Sequence, residues 1–259
     1  MKVVAITQAR MTSTRLPGKV LREAAGRSLL GHHIERVRRA ATVDEVVVAT
    51  TANATDDVIA GWCAREGVAV FRGSEHDVLS RYVGAANEHD ADVVVRVTSD
   101  CPLIDPEVID LTVRAFAAEA LDCDYASNRI VHTYPRGLDT EVLWRSVLNT
   151  AAREATDAPD REHVTLFVWR QPERFRLVNL QADGDYSRHR WTVDTPEDFE
   201  LMRRIIEDLY PRRPAFTFAD CLDCIRRHPD WPSINAHVEQ KEIPPPSSLG
   251  GRQGIQAVR

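Results

Sequence analysis

Three cations and three hydroxyls crowd into the twelve residues from Gln8 to Lys19. Arg10, Arg15 and Lys19 carry charge, Thr12, Ser13 and Thr14 carry hydroxyls, and Pro17-Gly18 sets a turn just before the lysine. A short apolar run, Val3 to Ile6, leads into this loop and reads as one buried strand. Cations and loop amides at the carboxyl end of a first parallel strand are what a polyphosphate needs. The lysine sharpens the point. Of 33 Lys plus Arg in 259 residues, only Lys2, Lys19 and Lys241 are lysine. In a chain that otherwise uses arginine, a lysine in a Pro-Gly-Lys turn points to a compact charge rather than a planar fork.

Two carboxylates are placed to face that loop. Asp100 follows a predicted strand, Asp92 to Thr98, and is pinned by Pro102. Asp194 ends the run Arg190-Trp-Thr-Val193, read as a second strand tip, and Thr195 behind it already fills the place of a helix cap. Two strand-tip carboxylates facing one polyphosphate make a site for Mg²⁺ bridged to phosphate oxygens. Further along, Asp139 and Glu141 alternate beside Arg136, and Glu162 and His163 follow Arg161 at a helix start. These are candidates for recognising a second substrate, and a solvated, salt-bridged surface is the competing reading.

Several patterns carry less. Cys221 and Cys224 have metal-like spacing but lie in an apolar helical pattern with no second pair, which favours core packing. Asp122/Asp124 and Asp183/Asp185 match a short acid-x-acid pattern that chance supplies often. His32 and His33 are adjacent in a helix and cannot point the same way. The chain contains neither GxGxxG nor GxxxxGK[ST], so neither a dinucleotide fold nor an ordinary P-loop is supported.

The elements that must hold these residues alternate. Strands are expected at Val3–Ile6, Glu45–Thr51, Val68–Phe71 and Asp92–Thr98. Helices are expected at Ser28–Ala41, from a Thr55 cap to Glu66, at Asp77–His89 and from Pro106. That β-α rhythm predicts an α/β fold: a three-layer α/β/α, mostly parallel, doubly wound sheet with ligands at the carboxyl ends of its strands. The loops due at that edge begin at Gln8, Thr50, Arg72 and Ser99. From Tyr125 the rhythm breaks. Residues 128–190 read as an inserted arm with helices at Trp144–Glu154 and Glu162–Arg170 and a strand at Phe175–Leu180. Thr195-Pro-Glu-Asp198 starts a helix running to Leu209, and Thr217–Arg227 is the last. One domain is expected over residues 1–242, with a disordered Pro/Ser/Gly-rich tail at 243–259.

Bulk properties narrow the partners. A net charge of −6 argues against a nucleic-acid coat, so cations gathered in one loop serve a small anionic ligand. Five cysteines do not make a disulfide framework, and no run approaches the roughly 20 apolar residues that span a bilayer. The expectation is a cytoplasmic protein without membrane or nucleic-acid partners.

With those residues assembled, the sequence resembles the cytidylyltransferase family that includes CMP-sialate and CMP-3-deoxy-manno-octulosonate synthetases, within the spore-coat polysaccharide branch. The resemblance rests on QARMTSTRLPGKVL (8–21), RVTSDCPLIDPEVID (96–110), YPRGLDTEV (134–142), REHVT (161–165) and TVDTPEDFE (192–200). It implies the fold of nucleotide-diphospho-sugar transferases and a sugar nucleotidyltransferase. In that reaction a sugar hydroxyl attacks the α-phosphate of CTP, releasing pyrophosphate and a CMP-sugar. It matches Arg10, Arg15 and Lys19 to triphosphate binding and Asp100 and Asp194 to Mg²⁺. Cytosine would be read near Ala9, Thr50, Thr51 and Thr98, with Gln8, Ser13 and Arg72 also at the nucleotide. The arm would form a homodimer interface that places Arg136 and His163 near the sugar. Ser99 stands where this branch usually has glycine. Two other readings remain: a glycosyltransferase that consumes a nucleotide sugar, and a non-catalytic nucleotide-binding relative. The first would want an acid-x-acid pair at a strand tip and no Pro-Gly-Lys turn; the second would tolerate loss of Asp100 or Asp194.

Overall fold

Runs of Val, Ile and Ala too apolar to face water on either side build the centre of the molecule. In the computed structural model, which describes residues 1–118, 122–239 and 255–258, these runs become β1 (Val3–Gln8), β4 (Glu45–Thr51), β5 (Ala69–Gly73) and β6 (Val93–Thr98). A two-residue hairpin, β2 (Glu23–Ala24) and β3 (Arg27–Ser28), lies between the first two. β1 pairs in parallel with β4 and β6, and β4 with β5.

The helices after these strands cover both faces, as right-handed crossovers demand. α1 (Leu29–Val37), α2 (Asp57–Arg65) and α4 (Pro106–Ala118) share a core with Val3, Ala5, Val46 and Val95. α3 (Val78–Glu88) packs on the opposite face against Val4, Ile6, Val47 and Val94. Alternate residues of one strand thus feed two cores, so the sheet is buried on both sides.

Beyond Tyr125 the chain widens the same sheet. β7 (Tyr125–Ser127), β8 (Glu141–Trp144), β9 (Leu177–Leu180) and β10 (Ile255–Val258) extend it to the order β10-β9-β7-β8-β6-β1-β4-β5, in which β8 is the reversed strand. The segment 128–190, set apart in sequence as an arm, therefore contributes β8 and β9 to the central sheet. α5 (Arg145–Glu154) and α7 (Leu166–Trp169) join the α3 face. α8 (Pro196–Leu209) and α9 (Phe218–Arg227) enclose a third cluster with Trp191, Leu103 and both Cys221 and Cys224, the packing role expected for those two cysteines. No helix among the described residues is long and apolar enough to cross a membrane.

Four expectations need correction. Thr55 does not cap α2: residues 54–56 form a 3₁₀ turn, and the fully buried Asp56 turns back to bind Thr51. The helix expected over Glu162–Arg170 is two, α6 (Ala158–Glu162) and α7, broken where Val164 takes a positive φ of 55°. Arg190–Val193 makes a single bridge, from Arg190 to Arg136, rather than a strand. Last, the tail is not wholly without structure. Ile255–Val258 forms β10, parallel to β9, while 243–254 and Arg259 lie outside the described residues.

Candidate active site

The carboxyl end of β1 delivers the cationic loop, and neighbouring strand ends hold it in shape. Asp56 Oδ1 accepts from Met11 N at 2.8 Å, so the buried Asp56–Thr51 pair anchors the loop from β4. Ser99 Oγ donates to Gln8 O at 2.6 Å and ties the end of β6 to the end of β1. Ser99 thus fastens two strand ends. Gly18 closes the loop onto Met11 O (2.9 Å) with φ 67°, a left-handed turn that glycine adopts without strain, and Lys19 follows at once.

Lys19 is the centre of the site. Its ammonium donates to Asp100 Oδ2 (2.8 Å), Asp194 Oδ1 (2.9 Å) and Val193 O (2.7 Å). Residues 81 and 174 positions away in sequence are brought to one nitrogen. Burial works against the charge on Lys19, but the two carboxylates outweigh it and raise its pKa. Burial would likewise push Asp100 up; Lys19 overrides it and holds that carboxyl down at about 2. Asp194 also takes Arg15 (2.9 Å) and Arg190 (2.8 Å) on Oδ2.

The Asp194 segment is placed by backbone bonds rather than by a strand. Val193 N donates to Asp100 O at 2.8 Å, joining the two acids' segments. Trp191 N donates to Arg136 O at 2.7 Å, and Gly137 lies so close that a Cβ there would sit 2.3 Å from Trp191 O. With φ 107° at Gly137 as well, Gly137→Ala is expected to destabilise the protein by at least about 2 kcal/mol. A denaturant midpoint that falls by less than a quarter of this would show that the segment yields. Behind Asp194, α8 opens on a capping box, and the fully buried Asp198 accepts from Arg190 and from the amides of Asp194 and Thr195.

A cleft of about 770 Å³ opens over this centre. Gln8, Ala9, Arg10, Ser13, Arg15, Lys19, Thr98, Asp100, Glu162, His163 and Asp194 all line it. Glu162 and His163 arrive from the end of α6, which Arg161 fastens to Asp77 at the start of α3. Arg10 faces Glu75 at 3.7 Å.

Six of the residues singled out in sequence lie elsewhere. Thr50 and Thr51 are buried beneath the strand ends, and Thr51 serves Asp56. Arg72 is tied to Asp57 and to the carbonyls of Thr51 and Asn53. Arg136 lines a separate cavity of about 590 Å³ near Trp191 and α9. Asp139 faces His132 at 3.8 Å. Glu141 is buried, gripped by Arg96, Arg129, Tyr125 and Thr165.

The cleft has members that pattern reasoning passed over: Glu75, His76, Arg81 and Arg96. Arg81 and Arg96 are both buried, and Arg81 Nε and Nη1 and Arg96 Nε find no acceptor among the described residues. Gln8 Oε1, an acceptor, likewise finds no donor among the described residues. Unpaired buried donors are costly unless a ligand completes them. Arg96 could have been noticed as a charge inside the otherwise apolar run DVVVRVT. His33 is also part of the frame. It is buried in α1, donating through Nδ1 to Cys101 O (2.9 Å) behind Asp100, while its neighbour His32 turns to Ala24 O.

A family model described as cytidylyltransferase matches residues 4–217, most of the chain. The chain belongs to the cytidylyltransferase family. Among relatives, it is 34% identical over 235 residues to the spore coat polysaccharide biosynthesis protein SpsF of Bacillus subtilis, covering 88% of this chain and 95% of that one. A solved cytidylyltransferase from Leptospira borgpetersenii superposes with a TM-score of 0.86 at 33% identity, over 93% of this chain and all of the other. The fold is shared with CMP:2-keto-3-deoxy-manno-octonic acid synthetase, solved with CTP, at a TM-score of 0.60 and 20% identity over 80% of this chain and 99% of that one. Of the segments on which the resemblance rests, residues 134–142 lie away from the cleft, while Glu162 and His163 of 161–165 line it. The loop of residues 8–21 and the Asp100 and Asp194 segments are its walls.

Proposed function

We propose that this cytidylyltransferase-family chain transfers a cytidylyl group from CTP to a hydroxyl of an acidic, sugar-like acceptor, releasing pyrophosphate, for surface polysaccharide or related synthesis. One observation carries the reading. The loop cations and two carboxylates converge on one cleft, with Lys19 bridging the acids. Transfer at phosphorus asks a protein to position the reactants and neutralise charge more than to supply covalent chemistry. Arg10, Arg15 and Lys19 are the groups that meet the triphosphate, and the loop hydroxyl of Ser13 lies beside them.

Asp100 and Asp194 fit a divalent cation. Both are hard oxygen donors, side by side and partly accessible at 25% and 18% side-chain exposure, and they already share one bound cation, the Lys19 ammonium. Mg²⁺ held there would steady the charge on the phosphate oxygens. Glu162 and His163 face the loop from α6 and bind the acceptor. The unpaired N–H groups of Arg81 and Arg96 favour an anionic group on one of the substrates.

The test is thermal. A ligand that binds only the folded state stabilises by RT ln(1 + [L]/Kd), about 2.7 kcal/mol at a hundredfold excess. For a domain of this size that is a Tm rise of roughly 5–10 °C. CTP with Mg²⁺ is expected to produce it, and UTP, ATP and GTP to fall well short. A rise only with nucleotide sugars would replace the reading with glycosyl transfer.

A further inference from the structure

The three bonds made by Lys19 say more than that a cation stands near a phosphate site. An ammonium has three N–H donors and no more. In this structure all three are used, on Asp100 Oδ2, Asp194 Oδ1 and Val193 O. The side chain is only 11% exposed, set in among these acceptors rather than extended into the cleft. A phosphate contact and this full set of bonds therefore exclude each other. We propose that Lys19 has two successive sets of partners: it holds Asp100 and Asp194 together in the free protein and moves to the nucleotide's phosphates on binding, which couples the entry of a divalent cation to that of the nucleotide. The inference rests on the cleft being a nucleotide site.

Charge supports the exchange. Lys19, Arg15 and Arg190 face Asp100, Asp194 and Asp198, so three cations already balance three carboxylates. A divalent cation entering alone adds two positive charges to this balanced set, and it competes with Lys19 for the same oxygens. A triphosphate supplies the missing negative charge and, at the same time, a new acceptor for the Lys19 N–H groups. Until then the ammonium prevents two carboxylates at close quarters from repelling one another. The neighbouring Arg15 has the freedom to follow, being 44% exposed, whereas Arg190 is buried at 9% and stays on Asp194 and Asp198.

The measurement is Mn²⁺ binding to the intact protein by titration calorimetry, for wild type and Lys19→Met, each without nucleotide and with saturating CTP, corrected for Mn²⁺ held by free CTP. Without nucleotide, Lys19→Met is expected to bind Mn²⁺ at least tenfold more tightly than wild type, because the competing ammonium is gone. With CTP the order is expected to reverse, because the variant lacks the group that should now hold the phosphates. Tighter binding under both conditions would show that Lys19 is only a nearby charge and never transfers. No change without nucleotide would show that it does not guard the carboxylates. Either result overturns the proposal. Wild type offers a second measurement should the variant fail to fold: CTP must tighten Mn²⁺ at least tenfold, and by linkage Mn²⁺ must tighten CTP by the same factor. Equal Mn²⁺ affinity with and without bound CTP would overturn the proposal too. If CTP binds neither protein, the nucleotide reading itself falls, and the nucleotide-free comparison still decides whether Lys19 guards the two acids.

Discussion

Asp100→Asn is expected to lower turnover by 10²-fold or more while leaving the fold in place, measured as pyrophosphate released from CTP with an acceptor that supports the reaction. The substitution keeps the size of the side chain and its place under Lys19, so circular dichroism and the folded core should not change. What goes is one of the two charges that the ammonium and a divalent cation share. Electrostatic groups of this kind, set in advance around developing charge, are typically worth 10²–10³ in rate. The loss should appear in kcat more than in the KM for CTP, since Arg10 and Arg15 still meet the triphosphate. Normal turnover by Asp100→Asn would remove Asp100 from the site and leave Lys19 paired with Asp194 alone.

Much of this arrangement can be read from the chain, because the signals are local. The buried strands β1, β4 and β6 are short apolar runs at full length, and α4, α8 and α9 announce themselves by Pro106, by Thr195-Pro196 and by Thr217. The loop and Asp100 follow from position alone, since the ends of parallel strands are where such sheets bind ligands. What escapes is whatever depends on a distant partner. β7 and β10 are three and four residues long and owe their existence to β9 and β8 beside them. The Asp194 segment is placed in part by the Val193 amide on Asp100 O and by the contact of Gly137 with Trp191, neither of which has a pattern in sequence. Thr51 and Asp56 look like a strand end and a helix start, yet together they anchor a loop 45 residues earlier.

Glu141 shows the same limit most sharply, and it carries the largest expected effect on stability. Beside Asp139 and Arg136 it looks like half of an acidic pair on a solvated surface. In β8, however, it stands in register with Arg96 of β6, so the charge in the middle of one apolar strand is answered by the first residue of its antiparallel neighbour. Arg129, Tyr125 and Thr165 complete its hydrogen bonds, and it is 1% exposed. The Thr165 bond also secures the chain just after Val164, whose positive φ turns Glu162 and His163 toward the cleft.

Glu141→Gln leaves the Arg96 charge buried without its counter-ion, and breaking a buried pair in this way costs about 3–5 kcal/mol. A fall in Tm of roughly 6–20 °C is expected. Burial would raise the pKa of Glu141, but Arg96 and Arg129 override it and hold the carboxyl down at about 2. A depressed folded-state pKa means that the unfolded chain takes up the proton first, at about 4.3. Its contribution to stability is therefore intact above about pH 4.5 and is lost as pH falls from there toward 2. Wild type should lose stability faster than Glu141→Gln across that window, so that the gap between them narrows with acid. A gap that stays constant from pH 7 to 3 would mean that the charge of Glu141 contributes nothing, and that Arg96 is held in the cleft wall by packing alone.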